Sequence, residues 1–272
     1  MIDKIQQHFG FTQMPFGRDL APAMLHRHAA HAQAAARITW TITDKTLGVI
    51  TGEVGTGKTV AARAALAGLD PTRHTVIYIA NPATGVRGIH HHHIVTSLGG
   101  RPAHGTATLT AQAYDVLAGE AAERGRVPVL IIDEAHLLTH EQLESIRMLT
   151  NHDMDSKTPF ATVLIGQPTL RRMIKLGVLA ALDQRIAVRY HMSGMTADET
   201  SSYIRHHLQL AGRDNDLYSE DAITQIHDAG RGKPRTVNNI CVAALIAAYA
   251  TSKKIVDQTA ARAAVSEITS SE

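Results

Sequence analysis

Gly52-Glu53-Val54-Gly55-Thr56-Gly57-Lys58-Thr59 meets the pattern GxxxxGK[ST] at every fixed position. That spacing lets a turn of main chain aim its N–H groups at one point and so cradle phosphate oxygens. Glycines at 52, 55 and 57 permit the turn, and a helix opening near Lys58 adds the positive end of its dipole. Lys58 can reach the β and γ oxygens of a nucleotide, and the Thr59 hydroxyl is suited to ligating Mg²⁺. The expected cradle is Gly52, Gly55, Thr56, Gly57, Lys58, Thr59 and Val60. Its flanks agree: Leu47-Gly48-Val49-Ile50 reads as a short buried strand, and Val60 to Leu66 as a helix.

A second half-site lies downstream, where the apolar run Val129-Leu130-Ile131-Ile132 enters Asp133-Glu134. A buried strand of this kind sets its carboxylates at the carboxyl edge of a parallel sheet, where ligands of open α/β sheets collect. Asp133 is expected to hold the Mg²⁺ and Glu134 to polarise the attacking water, the two roles the loop lacks.

Composition bounds the class. The chain has 272 residues, 44% hydrophobic and 19% charged, enough for one large domain or a medium and a small one. Twenty-seven Lys and Arg against 25 Asp and Glu give +2, too little for a protein that coats DNA alone. Cys241 is the single cysteine, which excludes an intrachain disulfide and a cysteine-built zinc site. The first eight residues lack a signal-peptide core and the longest late apolar run, Val242 to Ala250, is half a membrane span, so a cytoplasmic location without a membrane partner is expected.

Strands are expected near Leu47 to Thr51, His74 to Ala80, Val127 to Asp133, Phe160 to Gln167 and Ala187 to Met192, separated by helical stretches. This alternation predicts a three-layer α/β domain with a parallel sheet. After the Thr196/Glu199 capping box no strand is expected. Helices over Ala197 to Ala211, Glu220 to Ala229, Pro234 to Ala250 and Gln258 to Ile268 predict a small helical domain. The division is placed at 1–193 and 194–272, with Ser193-Gly194 as hinge.

Over essentially its whole length the chain resembles the AAA+ ATPases: a P-loop NTPase domain of five strands with a small C-terminal helical lid. The resemblance implies ATP as cofactor with Mg²⁺, hydrolysis, and assembly into a ring or helical filament of identical subunits. In that superfamily the strand after the Asp-Glu pair ends in a polar sensor residue. Here Thr162-Val163-Leu164-Ile165-Gly166 ends in Gln167, where Asn, Thr or Ser is commoner. The helix before the last strand carries an arginine finger, matched by Arg185 in Ala181-Leu182-Asp183-Gln184-Arg185-Ile186. A second sensor arginine in a Gly-x-Pro-Arg context is matched by Arg235 in Gly232-Lys233-Pro234-Arg235.

Within that superfamily the chain resembles the transposition-helper ATPases of the TnsC, TniB and IstB type, and the related secretion ATPase ExeA. Two segments carry the likeness: Phe9-Gly10-Phe11-Thr12-Gln13-Met14-Pro15-Phe16, and Asp133-Glu134-Ala135-His136 followed by Leu137-Leu138. It implies an adenine pocket built partly by the N-terminal box, with Pro15 and Phe16 as candidates; a turn proline and a core aromatic are the equal alternative. It also implies an ATP-bound oligomer on double-stranded DNA that recruits a transposase. Arg87 and Arg101, in the long insertion Asn81 to Leu109, are the candidate phosphate contacts. His90 to His93 are expected on a solvated or DNA-proximal surface. The alternative is an ATPase acting on a protein client, as in secretion. Secretion ATPases carry membrane-spanning and peptidoglycan-binding segments beyond this domain, and since the chain stops near its helical domain the DNA reading is preferred at this stage.

Overall fold

The computed structural model describes residues 1–17, 19–82, 89–150 and 158–269. They form two compact units, one of residues 32–53 and 58–192, the other of residues 1–31, 54–57 and 193–272.

The first unit is the α/β layer structure. Among the described residues, strands β1 (Leu47–Gly52), β2 (His74–Ile79), β3 (Val127–Ile132), β4 (Ala161–Gly166) and β5 (Ile186–Met192) form one parallel sheet in the order β2-β3-β4-β1-β5. The central strands β1 and β4 are buried at every position, as continuous apolar runs in a sheet covered on both faces must be. Pro128, with no N–H, sits before the first β3–β4 pair, Val129 with Ala161, so it costs that ladder no hydrogen bond. Helices α2 (Ala29–Thr43), α3 (Lys58–Ala67), α4 (Ile89–Ser97), α5 (Thr106–Glu123), α6 (His140–Thr150), α7 (Pro168–Ile174) and α8 (Ala180–Arg185) connect and flank the strands. One face packs Ile77, Ile79, Leu130, Ile132 and Leu164 with Ile94, Leu117, Leu143 and Ile146 from the helices. Each such side chain contributes about 2 kcal/mol of burial.

The second unit is helical: α1 (Ile2–Phe9), α9 (Ala197–Leu210), α10 (Glu220–Gly230), α11 (Pro234–Ala250) and α12 (Gln258–Thr269). The Thr196/Glu199 capping box opens α9 as expected. The first residues also belong here: Ile5, Phe9, Phe11 and Phe16 pack with Ile204, Leu208, Ile240 and Leu245 in one core. An apolar N-terminal box buries where apolar surface is on offer, so the expected first domain, 1–193, is in the structure shorter at its start.

The solvated surface expected of the histidine run is revised at one position. The insertion after β2 contains α4, and within it His91 is buried, 3.4 Å from the Ser145 hydroxyl, its pKa pushed down to about 4 by burial. Only His92 and His93 of that run have exposed side chains in the described structure; the side chain of His90 lies outside it. Phe16 is a core aromatic, stacked on His207 with ring centroids 5.2 Å apart and edge-on to Tyr218, and Pro15 beside it is buried too.

Candidate functional site

In a parallel sheet all carboxyl ends share one edge, so the ends of β1, β3 and β4 bring the glycine-rich loop, Asp133-Glu134 and Gln167 to the same side. β1 runs through Gly52 and α3 starts at Lys58. Between them Gly55 (φ 82) and Gly57 (φ 93) take left-handed backbone, which a side chain would strain, whereas Gly52 does not. Thr56 is buried. Lys58 is buried, 8% exposed, and its ammonium donates to the carbonyls of Gly52 at 2.8 Å and Glu53 at 2.9 Å, so it is held over the loop by the loop's own backbone. The residue after Thr59, Val60, continues the first turn of α3.

Thr59 and Asp133, 74 residues apart, meet: the hydroxyl donates to Asp133 Oδ2 at 2.6 Å. The other carboxylate oxygen accepts from the Glu134 N–H at 2.8 Å. A hydroxyl and a carboxylate are the hard oxygen donors Mg²⁺ takes, so the pair fits the metal role expected of it. The next residue, Glu134, has φ 49, and this left-handed step turns the chain into a 3₁₀ turn, Ala135–Leu137. Its carboxylate lies 3.3 Å from His136 Nδ1, with 46% of the side chain exposed. Gln167 caps α7 directly after β4, and its N–H points at the same His136 nitrogen at 3.5 Å.

Two participants escaped the sequence reading. Tyr78, on the edge strand β2, donates its hydroxyl to Asp133 Oδ2 at 3.0 Å. Burial, then the Asp133 carboxylate, push its pKa up to about 12, which keeps it a donor. His136 is the other. The signal for Tyr78 was present, an aromatic hydroxyl near the end of a strand, but it becomes readable only once β2 is known to lie beside β3.

Arg185 ends α8 at the amino end of β5 and donates to the Thr150 carbonyl. A seven-residue strand spans about 23 Å, so Arg185 lies on the edge of the sheet opposite Asp133. Arg235 opens α11 in the helical unit, and its N–H donates to the Gly55 carbonyl, 3.2 Å away, at the loop tip that groups with that unit. Arg101 is exposed, its carbonyl accepting from Gln112, and Arg87 lies outside the described residues.

Residues 41–174 match the AAA domain family. General secretion pathway protein A of Aeromonas hydrophila is 35% identical over 250 residues, 90% of this chain and 45% of that protein, so the chain spans less than half the length of this relative. Among solved structures the fold is shared with Cdc6p of Pyrobaculum aerophilum (TM-score 0.65, 19% identity, 89% of this chain and 67% of that one). It is shared also with the ORC1 protein of Aeropyrum pernix in complex with DNA (0.66, 15%, 90% and 67%). The RuvB Holliday junction branch migration motor of Thermotoga maritima is a third (0.56, 16%, 86% and 68%). At these identities the structures speak for the fold alone. No helix among the described residues is long and apolar enough to cross a membrane.

Proposed function

We propose that this chain, with its AAA domain match and its likeness to general secretion pathway protein A, is an Mg²⁺-dependent ATPase of the AAA+ class acting on a protein client. The observation that carries the ATPase is the 2.6 Å meeting of Thr59 with Asp133, beside the Lys58 ammonium and the Glu134 carboxylate. Lys58 exchanges its loop carbonyls for phosphate oxygens, and the N–H groups of Gly55 to Val60 hold the remaining charge. Thr59 and Asp133 hold Mg²⁺, which supplies charge neutralisation at the phosphates when bound. Glu134 accepts the proton of the attacking water, and Gln167 orients toward the terminal phosphate.

Arg185 stands too far from its own carboxyl edge to serve there. A neighbouring subunit's site is then its target, and hydrolysis requires a homo-oligomer, ring or filament. Arg235, tied to the loop tip through Gly55, serves as the second sensor.

For the client, the 35% identity to a secretion-pathway protein supports a protein target better than the N-terminal box supports transposition. Of the two arginines expected to contact double-stranded DNA in a transposase-recruiting assembly, Arg101 is exposed and Arg87 lies outside the described residues. Sedimentation of the Glu134→Gln protein with Mg²⁺-ATP, with and without a duplex of about a hundred base pairs, tests both layers. ATP-dependent assembly indifferent to DNA is expected. Assembly that needs both would return the client to DNA, and absence of ATP binding, equal to that of Lys58→Ala, would remove the ATPase reading itself.

A further inference from the structure

The ends of β3 and β4 meet at one atom. His136 Nδ1 is 3.3 Å from Glu134 Oε2 and 3.5 Å from the Gln167 main-chain nitrogen. A carboxylate only accepts and a main-chain N–H only donates, so a single imidazole nitrogen serves one of them at a time. Carrying a proton, Nδ1 donates to Glu134. Without it, Nδ1 accepts from Gln167 and Glu134 is let go.

The framework around this nitrogen is tight. The His136 side chain is 12% exposed, against 46% for Glu134, so the ring is fixed and the carboxylate is the movable partner. The 3₁₀ turn lies directly on the end of β4: a Cβ added at Gly166 would sit 3.1 Å from His136 N and 2.9 Å from Leu170 Cδ2. Glycine at 166 is therefore what lets the two segments touch. The Glu134 main chain bonds Asp133 and Leu137, but the Glu134 carboxylate shows no other hydrogen-bond or ion-pair partner among the described residues.

We propose that His136 is a positioning residue that passes its Nδ1 between Glu134 and the Gln167 N–H by exchanging tautomers, restraining the base in one state and freeing it in the other. The proposal rests on the ATPase reading for its purpose, since a restrained base matters only if water is to be activated. It makes the end of β4, where the expected sensor stands, the regulator of the base on β3. The exchange is neutral to neutral: the proton leaves Nδ1 as Nε2 gains one, and no net charge is created.

The first test needs no turnover. Long-range ¹H–¹⁵N spectra of nucleotide-free protein assign the His136 tautomer in wild type and in Glu134→Ala. Removal of the carboxylate leaves Gln167 as the remaining partner, so the population moves to the Nε2–H form; an identical tautomer in both proteins overturns the proposal. The second test is kinetic. His136→Leu removes the restraint and raises kcat about fivefold at unchanged KM for ATP, the scale of one modest hydrogen bond. His136→Asn, whose amide can donate and accept together near the Nδ1 position, stays at or below wild type. Equal loss of kcat in both variants, with lowered thermal midpoints, would make His136 merely structural. Wild-type protein that binds ATP without hydrolysing it would instead overturn the ATPase reading, and the tautomer result would stand apart from it.

Discussion

Asp133 Oδ2 accepts from two hydroxyls, Thr59 at 2.6 Å and Tyr78 at 3.0 Å, and the two are unequal in kind. Thr59 belongs to the phosphate loop, whereas Tyr78 reaches in from an edge strand and is 47% exposed. Loss of the Tyr78 hydroxyl therefore leaves the fold intact and costs one hydrogen bond to a charged acceptor, about 1.5–3 kcal/mol. Tyr78→Phe is expected to lower kcat/KM for Mg²⁺-ATP by roughly ten- to a hundredfold and to raise the Mg²⁺ concentration for half-maximal rate. Unchanged steady-state kinetics across a Mg²⁺ titration would take Tyr78 out of the site. At this scale the sequence was most legible where chemistry forces adjacency, as in Gly52 to Thr59 and Asp133-Glu134. It was least legible for Tyr78, because a hydroxyl's partner across two strands depends on strand order, which no local pattern records.

Among the elements, α11 shows how a single backbone position sets a functional side chain. Gly232 has φ 62, and a Cβ there would come within 2.0 Å of the Met195 carbonyl, while Met195 N–H donates to Gly232 O at 2.8 Å. That pairing fixes where Lys233-Pro234-Arg235 starts the helix. Gly232→Ala combines left-handed strain with a backbone clash and should destabilise the helical unit by about 2–4 kcal/mol, read as a lower denaturant midpoint. A midpoint within error of wild type would mean that the Met195 segment yields freely. The helices and strands themselves were largely readable from period and punctuation: the Thr196/Glu199 box, the glycines after Ala211 and Ala229, and the apolar runs of β3 and β4. What eluded the reading was α4. Its four adjacent histidines look solvated as letters, yet a helix turns one of them, His91, into the core, where no charge pattern announces it.

For the molecule as a whole, histidine burial sets the response to acid. His91 in the α/β unit and His28 and His207 in the helical unit are each pushed down to about 4, chiefly by burial. His28 faces Glu199, which opposes the shift, and His31 and His26, which add to it; His207 faces His206 and His26. The unfolded chain protonates near 6.5 and the folded one does not, so the unfolded state binds more protons and stability falls as pH falls. The contribution is complete above pH 6.5 and is lost between there and about 4, roughly 1–2 kcal/mol per histidine at pH 5. Thermal midpoints should drop between pH 7 and pH 5 in wild type and drop less in His207→Phe; parallel slopes would exclude His207 as a source.

The helical unit joins residues far apart in sequence: Ile5, Phe9, Phe11 and Phe16 share a core with residues from Met195 to Ala264. During synthesis those four side chains leave the ribosome long before their partners exist. At about 5–20 residues per second the wait is on the order of ten seconds or more, while the strands of β1 to β5 are completed in between. The nascent protein therefore carries these four apolar side chains without their core partners while the whole sheet is being made.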